Sequence, residues 1–251
     1  MEYVELLRAK RALTAYGIVV AALLVLALVL IFKNGPPTVH VSAGENPHFY
    51  LQYVLAAATI GPVILASVFA GGLDAEYKTI AITWTRPISR LALALRYIAV
   101  DAVGLLGAWA ITLVAIFIAI VAVGMAKYIT VPAEFPTFMV LAFGCAVMWY
   151  GLVLLLSTFF PGHGARIVGA SWAYVFIVPG LSQIPFPAPI HQIMVALNYV
   201  NPLAYFGNQG SQHVQSVLVG TLEQHTVATW VIGIVAAGIA ARIWTVREAP
   251  L

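Results

Sequence analysis

The sequence predicts an all-α membrane protein with six transmembrane helices, and three observations carry that prediction. Of 251 residues, 62% are hydrophobic and only 8% charged, whereas soluble domains carry about 25% charged residues. The apolar residues gather into runs of about 20, the helix length that crosses about 30 Å of hydrocarbon. Lys and Arg fall on alternate connections between those runs, which is the bias that sets the topology of polytopic proteins.

Residues 1–12 place Tyr3, Val4, Leu6 and Leu7 on one side of a helix and Glu2, Glu5 and Arg8 on the other. That pattern predicts a short helix lying in the membrane surface, with Lys10 and Arg11 reaching the headgroups. Its acidic residues, and the long apolar run that follows, do not fit a cleavable signal. Residues 13–32 are uncharged and form the first span. Gly35, Pro36, Pro37, Gly44 and Pro47 then make a loop. Residues 49–71 form the second span, with Gly61-Pro62 as an expected kink.

The third span is placed at residues 102–126, with Leu91 to Asp101 continuing its helix through the headgroups. Residues 137–160 form the fourth span, the Pro161–Arg166 segment a tight turn, and 167–184 the fifth span, interrupted at Pro179-Gly180. Between Pro185 and Thr226 there is no Lys or Arg. Residues 190–200 are apolar but too short to span, so a re-entrant or interfacial segment is expected there. Residues 227–246 complete a single domain covering 1–251 as the sixth span.

Of the 12 basic residues, Arg8, Lys10, Arg11, Lys78, Arg86, Arg90, Arg96, Arg166, Arg242 and Arg247 share one side, and only Lys33 and Lys127 the other. Both termini are therefore expected in the cytoplasm of a multi-pass cell-membrane protein. The net charge of +3 points to neither nucleic acid nor an acidic substrate. A single cysteine, Cys145, excludes an intrachain disulfide and a multi-cysteine site. No Gly-x-x-x-x-Gly-Lys-Ser/Thr loop and no His-Glu-x-x-His occurs. The six histidines are not paired on a helical turn and read as loop residues.

Chemistry concentrates in residues 71–90, which hold Asp74, Glu76, Lys78, Arg86 and Arg90 between two apolar runs. Unpaired charge is costly in hydrocarbon, so this connector belongs in water or against a soluble partner. Asp74 and Glu76 suit a helix N-terminus, and Pro87 suits the first turn of a second short helix. A solvated basic loop that only holds topology fits the composition equally well. Asp101 is the one acid near a span interior. Arg96, five residues earlier, lies about 140° away around the helix, so Asp101 is expected to pair with a base on another helix or to stay among headgroups.

Glu76, followed ten residues later by Arg86-Pro87-Ile88-Ser89-Arg90 and then a long span, resembles the cytoplasmic connector of ABC-2 type permeases. Lys78-Thr79 stands where that family has Gly-Thr, and Ile88 where Val is usual. Asn201-Pro202-Leu203-Ala204-Tyr205 resembles the Pro-Leu-x-Tyr element before the family's last span. The resemblance covers the whole chain and implies the membrane subunit of an ATP-binding-cassette transporter, in a bacterial or archaeal plasma membrane. It implies a second permease copy or paralogue, and a separate ATPase subunit that holds ATP and Mg, with no cofactor on this chain. Asp74, Glu76, Lys78, Thr79, Trp84, Arg86, Pro87 and Arg90, with Glu5, Arg8 and Arg11 of the surface helix, would then meet the ATPase. The substrate path would run between two permeases along the second and fifth spans, usually in the export direction. Two other classes stay open at this level: an ion-coupled carrier using Asp101, and a membrane-embedded scaffold or enzyme.

Overall fold

The structure is a computed structural model that describes residues 2–34, 58–71, 89–122, 124, 131, 133–182, 184–205 and 220–246. Every regular element among the described residues is helical. They are α1 (Glu2–Asn34), α2 (Ala58–Gly71), α3 (Arg90–Ala122), α4 (Phe135–Phe159), α5 (Gly164–Ser182), α6 (Ala188–Asn198) and α7 (Leu222–Val246). Five of them, α1, α3, α4, α5 and α7, are long and apolar enough to cross a membrane. The chain is thus a multi-pass membrane protein. Of the second expected span, 49–71, only α2 lies among the described residues, so the count of six is not reached on length alone.

The helix ends follow local chemistry. Ser89 opens α3 by accepting the Ala92 N–H on its Oγ at 3.2 Å. Gly124, at φ +71, closes α3 by donating its N–H to the Val121 carbonyl, which stops the helix short of the expected residue 126. Pro136 sits in the first turn of α4, where a missing N–H costs nothing. Thr221 and Gln224 form a reciprocal cap at the start of α7: the Thr221 N–H meets Gln224 Oε1 at 3.0 Å, and the Gln224 N–H meets Thr221 Oγ1 at 3.3 Å. That cap starts α7 five residues before the expected Val227.

Two expectations about segmentation are corrected. The separate surface helix over residues 1–12 does not exist as an element, because α1 runs unbroken for 33 residues. No Gly or Pro interrupts Leu6 to Tyr16, and Arg8 turns inward onto α3. Nor does Pro179-Gly180 interrupt the fifth span, since α5 stays helical to Ser182 with Pro179 inside it. It also begins at Gly164, so the turn from α4 is confined to residues 160–163, with Gly162 at φ +77.

The helices alternate in direction. Arg8 meets Asp101 and Tyr16 meets Thr112, so α1 and α3 run parallel. Gly61 abuts Tyr16 and Thr112 while Phe69 abuts Gly104, so α2 runs antiparallel to α3. Tyr150 meets Asp101 and Phe143 packs on Trp109, which makes α4 antiparallel to α3 as well. Gly71 lies against Val168 and Gly164 at the start of α5. One end of the bundle therefore gathers the first residues of α1, α3 and α5 and the last residues of α2, α4 and α7.

The tightest helix pair is α4 with α7, which run parallel. Lipid tails are as apolar as Leu, so helices in a bilayer associate by close packing of small residues rather than by hydrophobic exclusion. Gly144 and Gly151 of α4 face Thr229 and Gly233 of α7. A Cβ at Gly233 would stand 2.7 Å from the Met148 nitrogen, so the two backbones touch.

The segment 188–205 is tied to α5 by polar contacts. Pro179 has no N–H for the Val175 carbonyl four residues earlier, and its ring crowds that oxygen outward. Asn201, fully buried, fills the vacancy with its Nδ2 at 3.0 Å from Val175 O. Its Oδ1 takes the Leu203 N–H at 2.9 Å, and Tyr174 donates its hydroxyl to the Leu197 carbonyl at the end of α6.

Two stability predictions follow from these contacts. Gly233→Ala overpacks α7 against α4 and is expected to cost about 1–3 kcal/mol, read as a fall of several degrees in the unfolding midpoint in detergent. Gly169→Ala, with open space around it, leaves that midpoint unchanged. Asn201→Ala strands a buried carbonyl and is expected to cost about 1–3 kcal/mol. In the Pro179→Ala background, where residue 179 regains its N–H, the same change costs measurably less in a double-mutant cycle.

Candidate functional site

The polar centre of the bundle is built from residues far apart in sequence. Asp101 is completely buried on α3, eleven residues from the start of that helix. One carboxylate oxygen accepts from Arg8 Nη2 of α1 at 2.5 Å, and the other accepts from the Tyr150 hydroxyl of α4 at 2.9 Å. Arg8 is 16% exposed and lies over the Tyr97 ring at 5.6 Å from its centroid. Tyr97 in turn meets Trp244 of α7 edge to face at 6.1 Å. Four helices thus converge on one ion pair and its aromatic flank.

The sequence explains why this works at these positions. Arg8 stands in the second turn of α1 and Asp101 at the edge of the uncharged part of α3, so both sit near the boundary of the hydrocarbon. An aspartate at the centre of a membrane helix costs about 2.5–3.5 kcal/mol on insertion scales. Pairing, with a hydroxyl on the second oxygen, offsets that cost and fixes the depth of α1 against α3 and α4. Beside this centre, Trp149 of α4 donates from Nε1 to Ser67 Oγ of α2 at 2.8 Å and stacks on Tyr174 of α5 at 6.1 Å.

At the far side of the core, Tyr205 packs on Leu141, Cys145 and Met148 and donates its hydroxyl to the Tyr199 carbonyl at 2.6 Å. Burial, with Cys145 and Tyr199 beside it, holds this phenol above its usual range, so it stays a neutral donor. The His225 ring meets the Tyr205 ring edge to face at 5.4 Å. Among the described residues no group of three or more His, Cys, Asp or Glu is placed to hold a metal ion.

The candidate residues read from the sequence separate into three groups. Asp74, Glu76, Lys78, Thr79, Trp84, Arg86 and Pro87 lie outside the described residues. Arg90 is the exposed first residue of α3, Arg11 is exposed on α1, and Glu5 lies in the opening turns of α1. Arg8 and Asp101 are brought together, although the sequence assigned one to a surface helix and left two environments open for the other. The structure selects the base on another helix. Tyr150 and Tyr97 complete the arrangement. No spacing rule links positions 8, 101 and 150, and the one usable signal was that a lone buried acid requires a base.

No family model, no curated protein and no solved structure matches the chain.

Asp101→Asn removes the charge that holds Arg8. The variant is expected to lose about 3–5 kcal/mol, the usual cost of breaking one partner out of a buried pair, measured as thermal unfolding in detergent. Tyr150→Phe removes one donor only and is expected to cost about 1–2 kcal/mol.

Proposed function

We propose that the chain is the permease subunit of an ATP-driven transporter of the ABC-2 type, working as a pair of permeases on a separate ATPase. The observation that carries this reading is the charged connector between α2 and α3, with Glu76 and Arg86-Pro87-Ile88-Ser89-Arg90 in the family's order. The alternating helix directions support it. Gly71 and Ser89, the residues that bracket the connector, lead toward the bundle end that also holds Arg8, Lys10, Arg11, Arg96, Arg166 and Arg242. Lys33 is the one basic residue of the described segments at the other end. By the charge bias, the Arg-rich end is the cytoplasmic one, and the connector faces an ATPase there.

Six spans suit the same pattern. Because α1 and α3 are parallel and α2 opposes them, residues 49–71 make the return crossing in this reading. In this reading the parallel pairing of α4 and α7, joined through α5, puts α6 and Asn201 to Tyr205 on the outer side, where they fold back against α5 and α4. An ion-coupled carrier would rely on Asp101 as its titrating group. Both oxygens of that carboxylate are held by Arg8 and Tyr150, which suits an anchor better than a proton carrier.

The reading is tested by purifying the chain from its native host in mild detergent and identifying stoichiometric partners by mass spectrometry. A soluble subunit bearing a phosphate-binding loop is expected, and with Arg86→Glu and Arg90→Glu together the inserted chain should lose ATP-dependent transport. Recovery of the chain alone, under conditions that keep known transporters whole, would replace this reading with the ion-coupled one.

A further inference from the structure

A groove of about 680 Å³ runs between α1 and α3 on the outer face of the bundle. Its walls are apolar, with Leu13 and Gly17 on α1 and Val100, Val103 and Ile111 on α3, and Val103 is 70% exposed. Lys10 is the only charged residue in its lining, and it stands at the end nearest the start of both helices. Asp101, the buried acid of α3, is committed to Arg8 and Tyr150, so it does not oppose an anion at Lys10.

The length of the groove matches one leaflet. From Ala99 to Ile111 along α3 is about 18 Å at the rise of an α-helix, against about 15 Å for half of a 30 Å hydrocarbon core. Small residues make the trough: Gly17 has nothing within 4 Å of a notional Cβ, and Thr14 folds its hydroxyl back onto the Lys10 carbonyl at 2.8 Å. An apolar channel one leaflet deep with a cation at its headgroup end has the shape and polarity of a phospholipid. We infer that this groove is a binding site for an anionic phospholipid of the Arg8-side leaflet, its acyl chain lying between α1 and α3 and its phosphate on Lys10. The Arg8–Asp101 pair sets the spacing of the two walls, which makes the site part of the fold rather than a transient contact. The inference is independent of the transport reading and needs only that the chain is embedded in a membrane.

The test uses the full chain in nanodiscs of mixed phosphatidylglycerol and phosphatidylcholine, with a benzoylphenylalanine photo-crosslinker placed at Val103. Mass spectrometry of the adduct should show phosphatidylglycerol enriched about fivefold over its mole fraction, the preference expected of one cation at an anionic headgroup. Lys10→Gln should bring the adduct back to the bulk ratio and Lys10→Arg should preserve the enrichment. The same crosslinker at Phe117, exposed on α3 outside the groove, should report the bulk ratio throughout. Adducts at Val103 in the bulk ratio, or an enrichment untouched by Lys10→Gln, would overturn the inference. So would crosslinks to protein, either a second copy or residues 72–88 of the same chain.

Discussion

A carboxylate at the edge of the hydrocarbon is the constraint around which this bundle is arranged. Asp101 cannot stay ionised there without a cation, and the cation is Arg8, 93 residues earlier on another helix. To reach it, α1 must lie parallel to α3 with Arg8 and Ala9 turned onto the bundle. Tyr150 takes the second oxygen, which fixes the rotation of α4, and Tyr97 extends the contact through Trp244 to α7. Both oxygens of the carboxylate are taken in this way, and a half-satisfied carboxylate in low dielectric would be costly.

Elsewhere the helices are held by devices that suit a lipid solvent. Between α4 and α7 the glycines let backbones touch, gaining dispersion contacts that Leu against lipid would not supply. Between α5 and the segment 199–205, a proline that would weaken an isolated helix is repaired by a side chain from outside it. That exchange fastens Asn201-Pro202-Leu203-Ala204-Tyr205 onto the bundle while leaving α5 continuous. The motif is therefore explained by packing and hydrogen bonding before any role in transport is considered.

The same geometry connects the anchor to the proposed work of the protein. The end of the bundle that carries Arg8 also carries most of its basic residues, and the connector 72–88 joins α2 to α3 there. A force applied to the start of α3 would act on the helix that bears Asp101, and through the ion pair on α1. Lys10, two residues from Arg8, faces the neighbouring groove. Lipid and partner would thus bear on one helix pair from different sides, with the ion pair as the element they share.

The sequence by itself determined the class of the protein and the bias of its charges. Those properties are local: twenty apolar residues, a proline in a first turn or a cluster of arginines can be read without knowing what lies beside them. The cap formed by Thr221 and Gln224 is just as local, at the spacing of a reciprocal cap three residues apart, although the expected start at Val227 passed over it. What only the tertiary structure decided depends on partners brought from elsewhere. A surface-helix pattern at residues 1–12 became the start of a continuous helix because Arg8 had a buried acid to meet. The expected break at Pro179 did not form because Asn201, 22 positions later, supplied the missing donor. The charge at position 101 announced that a partner was needed, but three-dimensional packing chose Arg8 and Tyr150, because the cost of an unpaired charge sets the requirement and not the address.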